Sequence, residues 1–512
     1  MMSSAVMLVA ALFSVPVIVL IINTTKNYKK RRNKKVISVF TRYPSPGVTK
    51  TRLIPCLGKE GAAYAQRRMT EHILERLSEY CSKNRDTDLA VWYNGSTEKN
   101  MKYWLTPKSG GYDFMYLYQQ PPGGLGEKLR EATLSALRGG KEFVVIVGSD
   151  IPGLDANVMK EAFETLESGA EMVLGQAEDG GYYLVGFSRD AANKIGEVFE
   201  GMDWGTDKVF QQQCDKAKQL GINLLILDTQ LSDVDLEEDL PVLEEALKIQ
   251  RRELTERKWS VIIPTMNEED NIVHTIQTVC QHCSDESRIQ EIIVSDGGSK
   301  DNTVRKVKDF SLKVNIPVKV INSSPGRGFQ QKAGAEAASG DLLLFLHSDT
   351  LLPRNFDNAA EICLKTPGNV AGSFVWSVDL DSKDSWFFKL QMKFVEYLTN
   401  RRIENFEYPF GDNAIFTTRH MYNKIGGFKE VYLLEDVLLV EELWRKGHIG
   451  IAPGHPVITS ACRWRKWGLI RITGLNRVIL QAHYLGVSTE TLALWYYGDK
   501  LRSVMAANKK KD

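Results

Sequence analysis

Cysteine is scarce and scattered in this sequence, with seven among 512 residues, at positions 56, 81, 214, 280, 283, 363 and 462. An odd, dispersed set fits reduced thiols and excludes a disulfide framework as the basis of the fold. Cys280 and Cys283 have no second CxxC partner, so they read as neighbours on one helix face, with a metal site as the weaker alternative. Proline is sparse as well, 17 residues against 40 glycines. With 43% hydrophobic and 25% charged residues, that usage excludes a disordered, collagenous or multi-span membrane chain. Charge of one sign is missing too: 65 Lys+Arg against 64 Asp+Glu leave +1, so no nucleic acid is expected as a partner. The length exceeds what one core supports, and two or more folded units follow.

What charge there is lies unevenly. Residues 26–35 carry seven basic side chains and no acid, which leaves the remainder of the chain net acidic. This block follows the apolar stretch Ala5 to Ile22, interrupted only by Ser14 and Pro16, which as a helix covers about 27 Å, enough for a thin bilayer. A cleaved signal peptide would place its charge before the apolar run, so residues 1–35 are expected to be a single membrane anchor with its basic flank. Positive flanks stay on the cytosolic side, which predicts cytosol-facing domains and unmodified sequons at Asn94 and Asn322. The closing Lys509-Lys510-Lys511-Asp512 reads as a dilysine retrieval signal of endoplasmic-reticulum membrane proteins or, more simply, as a solvated tail.

Two segments behind the anchor begin alike. Val36 to Phe40 and Trp259 to Ile263 are β-branched runs, each followed by a Pro-bearing loop and helical pattern. Phe143 to Val147 and Leu342 to Leu346 are continuous apolar runs that lead to Ser149-Asp150 and Ser348-Asp349. Such runs suit central parallel strands covered on both faces, and ligands on open α/β sheets gather beyond their carboxyl ends. The expected fold class is therefore α/β, with two tandem nucleotide-binding Rossmann-like domains at 36–250 and 258–470 behind the N-terminal transmembrane helix. The apolar stretch Leu469 to Leu494 is broken by polar residues and predicts an amphipathic tail over 471–512, not a second span.

In the second half, Asn267 and Glu268 end the first strand, and Ser295-Asp296-Gly297-Gly298 forms an acidic, glycine-bearing loop suited to a base and ribose. Pro325-Gly326-Arg327-Gly328 suits an anionic phosphate, and Asp349 is placed to hold a divalent cation against a diphosphate. With Gly411-Asp412-Asn413-Ala414, Gly426-Gly427-Phe428 and Leu434-Glu435-Asp436-Val437, these residues resemble glycosyltransferase family 2 over about 259–470. The resemblance implies the GT-A fold, a nucleotide-sugar donor, Asp296 on the base, Asp349 as the metal-binding member of a DxD-like motif, and Asp436, with Glu435 beside it, as catalytic base. His347 stands where that motif has its first acid; imidazole is a poor ligand for Mg²⁺ and an acceptable one for Mn²⁺. Arg463-Trp464-Arg465-Lys466-Trp467 interleaves cations with indoles that suit a sugar, a diphosphate or a membrane surface.

In the first half, the loop Thr41 to Leu53 presents Arg42, Lys50 and Arg52 but lacks the second spaced glycine of a Walker A loop, which rejects an ATPase of that kind. A cationic loop ahead of a helix suits a di- or triphosphate. Together with Gly126-Glu127-Lys128, Gly148-Ser149-Asp150, Asp179-Gly180-Gly181, Trp204-Gly205-Thr206 and Asp233-Val234-Asp235, it resembles GT-A-like proteins akin to 2-phospholactate guanylyltransferases. By that resemblance Arg42, Lys50 and Arg52 handle phosphates, and Asp150 with Asp179 or Asp235 binds a divalent cation, Mg²⁺ or Mn²⁺. Asp179-Gly180-Gly181 is equally a plain turn signal. The expected protein is a membrane-anchored inverting glycosyltransferase whose first domain makes or binds the activated nucleotide, with an acceptor, a lipid among those the anchor suggests. Two alternatives stay open: a non-catalytic regulatory first half, and an inactive membrane scaffold.

Overall fold

The computed structural model describes residues 33–108, 115–498 and 501. The anchor expected over residues 5–22 and the terminal lysines lie outside these; among the described residues no helix is long and apolar enough to cross a membrane. Two compact units divide near residue 256, the first from 33–106 and 115–256, the second from 107–108 and 257 onward.

The first unit is a seven-stranded sheet made of β1 (Lys35–Arg42), β2 (Thr87–Asn94), β3 (Met115–Gln119), β4 (Phe143–Gly148), β5 (Met172–Gln176), β6 (Tyr182–Ser188) and β7 (Leu224–Ile226). Their order is β3-β2-β1-β4-β6-β5-β7, parallel from β3 to β4, with β6 antiparallel to both its neighbours. The apolar runs are continuous because both faces are covered. Ile37 and Val39 enter one core with Val145 and Val147, while Val36 enters the opposite core with Val144 and Ile146. Alternation along a strand thus distributes side chains between two buried faces.

In the second unit the main sheet repeats that plan with β8 (Trp259–Thr265), β9 (Ile289–Asp296), β10 (Val318–Asn322), β11 (Leu342–Phe345), β13 (Asn369–Ser373), β15 (Phe416–Thr418) and β16 (His448–Ile451). The order β10-β9-β8-β11-β15-β13-β16, with β15 antiparallel, matches the first sheet position for position. A small second sheet, β12 (Thr350–Leu351), β17 (Val457–Ser460) and β14 (Trp376–Asp379), continues from the end of β11. The order turns back at β1/β4 and at β8/β11, which places a crevice at the carboxyl ends of those strand pairs.

The stretch set apart as a tail belongs to the second unit. Leu469–Tyr484 and Thr489–Tyr497 are separate helices, and Ile479 and Leu492 are buried in the core around Ile262, Phe345 and Val440. Residue 470 is therefore no boundary in the fold.

Candidate functional site

Beyond the ends of β8 and β11 lies a cavity of about 710 Å³. Glu268 and Asn271 line it from the segment after β8, Arg327 and Gln330 from the helix Arg327–Ala337, and His347, Ser348 and Asp349 from the segment after β11. Gly326, just ahead of that helix, has φ of 127°, a conformation that favours glycine, and a side chain there would press on Phe329 and Tyr432. The last wall comes from the carboxy-terminal helices: Arg463 and Trp467, then Arg471, Ile472 and Leu475, then Tyr496, Tyr497 and Leu501.

Of the residues expected to bind the donor, Glu268, Arg327 and Asp349 meet on this cavity, whereas Asn267 and Asp296 are absent from its wall. Asp296 is buried, and its carboxylate accepts from the backbone N–H of Gly298 and Ser299 and from the Ser299 hydroxyl. Asn267 accepts from Lys300 N–H through its side-chain oxygen, and its own N–H donates to Ser299. Both thus hold the glycine-bearing loop against the end of β8.

Glu435 and Asp436 open the helix Glu435–Trp444 next to this cavity. Asp436 accepts from Gly411 N–H at 2.7 Å and from Val437 N–H at 2.8 Å. Glu435 is buried and stands 4.0 Å from the Arg327 guanidinium. Burial, then the neighbouring Asp436, push its carboxyl up to about 7 against the pull of Arg327. Burial and nearby Asp349 likewise raise Glu268. Burial and the cations Arg327 and Arg463 hold His347 well below the ordinary imidazole value, so the ring is neutral at pH 7.

The Nε2 atom of His347 is buried without a hydrogen-bond partner, and the ring lines the cavity one residue from Ser348 and two from Asp349. An orphaned imidazole nitrogen two positions before Asp349 has the donor chemistry of a divalent-cation ligand, with nitrogen in place of the first oxygen of the motif. Among the described residues no group of three or more His, Cys, Asp or Glu side chains is placed to hold a metal ion.

The first unit differs. Lys50, in a left-handed conformation at φ of 50°, sends its ammonium 2.8 Å from Asp150 and 2.6 Å from Asp235, and Arg52 lies 3.4 Å from the other oxygen of Asp235. The expected phosphate cation and the expected metal ligands therefore neutralise one another. The phosphate and metal roles drawn from the sequence thus fall on one cluster, with a lysine between the two carboxylates. Arg42 is exposed at the end of β1. Asp179 accepts from Gly181 N–H in the turn between β5 and β6, as the plain turn reading has it. Asp233, absent from the expected set, joins this cluster; burial and the acids Asp179, Asp150 and Asp235 push it up to about 6. Its signal was the pair of acids about one apolar residue in Asp233-Val234-Asp235. Tyr496 and Tyr497 were also missed, although their cluster with Trp495 was visible in the sequence.

Known proteins place both halves. Residues 77–206 match the model of the family described as "uncharacterized protein conserved in bacteria" (DUF2064), and residues 260–424 match glycosyl transferase family 2. A protein of Desulfovibrio desulfuricans G20 designated a nucleotide-diphospho-sugar transferase is 31% identical, over 43% of this chain and 94% of that one, with a TM-score of 0.38. S. aureus TarS 1–349 with UDP-GlcNAc is 18% identical over 40% of this chain and 58% of that one, TM-score 0.31. The mannosyltransferase PcManGT of Pyrobaculum calidifontis with GDP-Man and Mn²⁺ is 17% identical over 50% and 76%, TM-score 0.35. This chain thus joins a segment that matches DUF2064 to one that matches glycosyl transferase family 2.

Proposed function

We propose that the second unit transfers a sugar, with inversion, from a nucleoside diphosphate sugar to an acceptor hydroxyl at the cavity beyond β8 and β11. One observation carries this: Glu268, Arg327, His347 and Asp349, from three separate segments, line a single cavity at the topological switch point. The acceptor oxygen forms a bond to the anomeric carbon as the bond from that carbon to the diphosphate breaks, and the electron pair leaves on the nucleoside diphosphate. Asp436 takes the hydroxyl proton, held in place by the two backbone N–H groups it accepts from. Arg327 and the first turn of its helix hold the diphosphate. His347 and Asp349 hold a divalent cation, Mg²⁺ or Mn²⁺, whose contribution when bound is to neutralise charge developing on the leaving group. A nitrogen ligand favours Mn²⁺, and the PcManGT structure contains that ion.

The direct test is a screen of UDP- and GDP-sugars for hydrolysis by the full chain. At least one is expected to be cleaved, and Asp349→Ala to abolish both the cleavage and binding of that nucleotide sugar; no cleavage of any donor counts against the reading.

For the first unit, the closed set of Lys50, Asp150 and Asp235 favours a module that binds a nucleotide or its phosphates without turning it over. Arg42 and Arg52 remain at the rim as phosphate contacts. Pyrophosphate release from any pairing of a nucleoside triphosphate with a sugar phosphate, lost in Asp150→Asn, would instead establish a nucleotidyltransferase. Anchoring at residues 5–22, with both units in the cytosol, rests on the sequence of the anchor and its basic flank.

A further inference from the structure

The cavity lining is of two chemical kinds. Glu268, Arg327 and Asp349 supply charge and hydrogen-bonding groups, and Tyr497 lies among them, within the fields of Arg327 and Glu435. Trp467, Ile472, Leu475, Tyr496 and Leu501 form an apolar wall, in which the tyrosine hydroxyl and the indole N–H are the only polar side-chain atoms. A polar oligosaccharide on that wall would leave most of its hydroxyls unpaired, at a cost for each. An apolar chain would lose nothing and gain burial.

Charge narrows the class further. Between Cys462 and Thr489 there are five cations, Arg463, Arg465, Lys466, Arg471 and Arg477, and no acid. Arg465 is committed to Asp384, at 2.7 and 2.9 Å, but Arg463 and Arg471 line the cavity. The Arg471 guanidinium lies over the Trp467 ring, 4.7 Å from its centroid. A cation on an indole, beside aliphatic side chains, suits the junction between an anionic group and a hydrocarbon chain. Trp467 is also 49% exposed, placing an amphipathic ring at the cavity wall where such a chain would enter.

We infer that the acceptor is an anionic amphiphile: an apolar chain along Ile472, Leu475 and Leu501, an anionic group at Arg471, and a free hydroxyl that reaches the anomeric carbon of the donor. This rests on the transfer proposed for the same cavity and specifies its second substrate. In the reaction the amphiphile's hydroxyl oxygen becomes bonded to the anomeric carbon, its proton goes to Asp436, and the nucleoside diphosphate departs with the bonding pair.

Calorimetric titration of the full chain tests the class with three probes below their micelle concentrations: lysophosphatidylglycerol with a ten-carbon acyl chain, the uncharged monodecanoylglycerol, and glycerol phosphate. The first is expected to bind at least roughly tenfold more tightly than either of the others. Arg471→Gln should lower its affinity and leave that of monodecanoylglycerol unchanged. Leu475→Asp should weaken both chain-bearing probes, with thermal unfolding compared with the parent to confirm folding. Equal binding of glycerol phosphate and the lysolipid, or lysolipid binding that neither substitution alters, overturns the inference. Donor binding is read separately with the nucleotide sugar, so lysolipid binding without donor cleavage would sink the donor reading alone.

Discussion

A Cβ atom added to Gly411 would lie 2.6 Å from Nε2 of His347 and 3.5 Å from Oδ2 of Asp436. The glycine is the spacer between the nitrogen proposed as a metal ligand and the carboxylate proposed as base, and its own N–H fixes that carboxylate. Gly411→Ala must therefore displace the imidazole or break the hydrogen bond. Misplacement on the scale of an ångström costs about a hundredfold in rate, and a drop of that size in donor turnover, with unchanged circular dichroism, is expected. Full activity would mean that this spacing is dispensable.

Asp436→Asn removes the proton acceptor while keeping an oxygen for one of the two backbone N–H groups. Transfer is expected to fall roughly a hundred- to ten-thousand-fold. Binding of the nucleotide sugar, followed by calorimetry, should stay near the parent value. Retained turnover would reassign the base.

Glu435 gives the site a pH dependence. Its carboxyl is raised to about 7 in the folded protein, so it ionises as pH rises through that value and then competes for Arg327 at 4.0 Å. The same raised value means that its contribution to stability is fully present below the unfolded carboxyl range and lost as pH rises through about 7. Affinity for a nucleotide sugar should accordingly weaken from pH 6 to 8 in the parent and stay flat in Glu435→Gln. Identical profiles for the two proteins would remove Glu435 from control of Arg327.

In the first unit, Lys50→Met leaves Asp150 and Asp235 facing each other without their cation. Loss of a buried partner, discounted because the two acids are about a third exposed, should cost about 1–3 kcal/mol at pH 7 in that unit's unfolding transition. Asp150 is lowered chiefly by Lys50 against its burial, so the pair's contribution is present above the unfolded carboxyl value and fades as pH falls below it. An unfolding midpoint that does not move would show the lysine to be electrostatically idle.

Asp233 should behave in the opposite sense. Its carboxyl is raised to about 6, so its contribution is present below the unfolded value and lost as pH rises through 6. Asp233→Asn is expected to stabilise the unit by about 1–2 kcal/mol at pH 7.5 and by little at pH 4. A destabilised variant at pH 7.5 would mean that the ionised carboxylate is needed there.

Much of the fold was legible because it is local. Phe143 to Val147 and Leu342 to Leu346 announce strands buried on both faces, since every position in the run is apolar and no solvent face remains to be polar. Asp349, three residues past such a run, had to stand at a strand end. Asp296 was less legible: its place in the loop is as expected, yet a carboxylate so close to backbone N–H groups turns on its own loop, a choice set by turn geometry.

By itself the sequence determined two α/β units of one design, the strand ends that carry Asp150 and Asp349, and the cations in the loops that follow β1 and β10. Periodicity says that a side chain is buried or which way it faces, and this suffices for elements. It does not say which distant segment a side chain meets. Only the tertiary structure decided that Lys50 lies between Asp150 and Asp235, 100 and 185 positions away, and that the helices after residue 469 close the cavity as an apolar wall. Those outcomes depend on loop paths and on long-range packing, where many partners satisfy the same local pattern and the complete fold selects one.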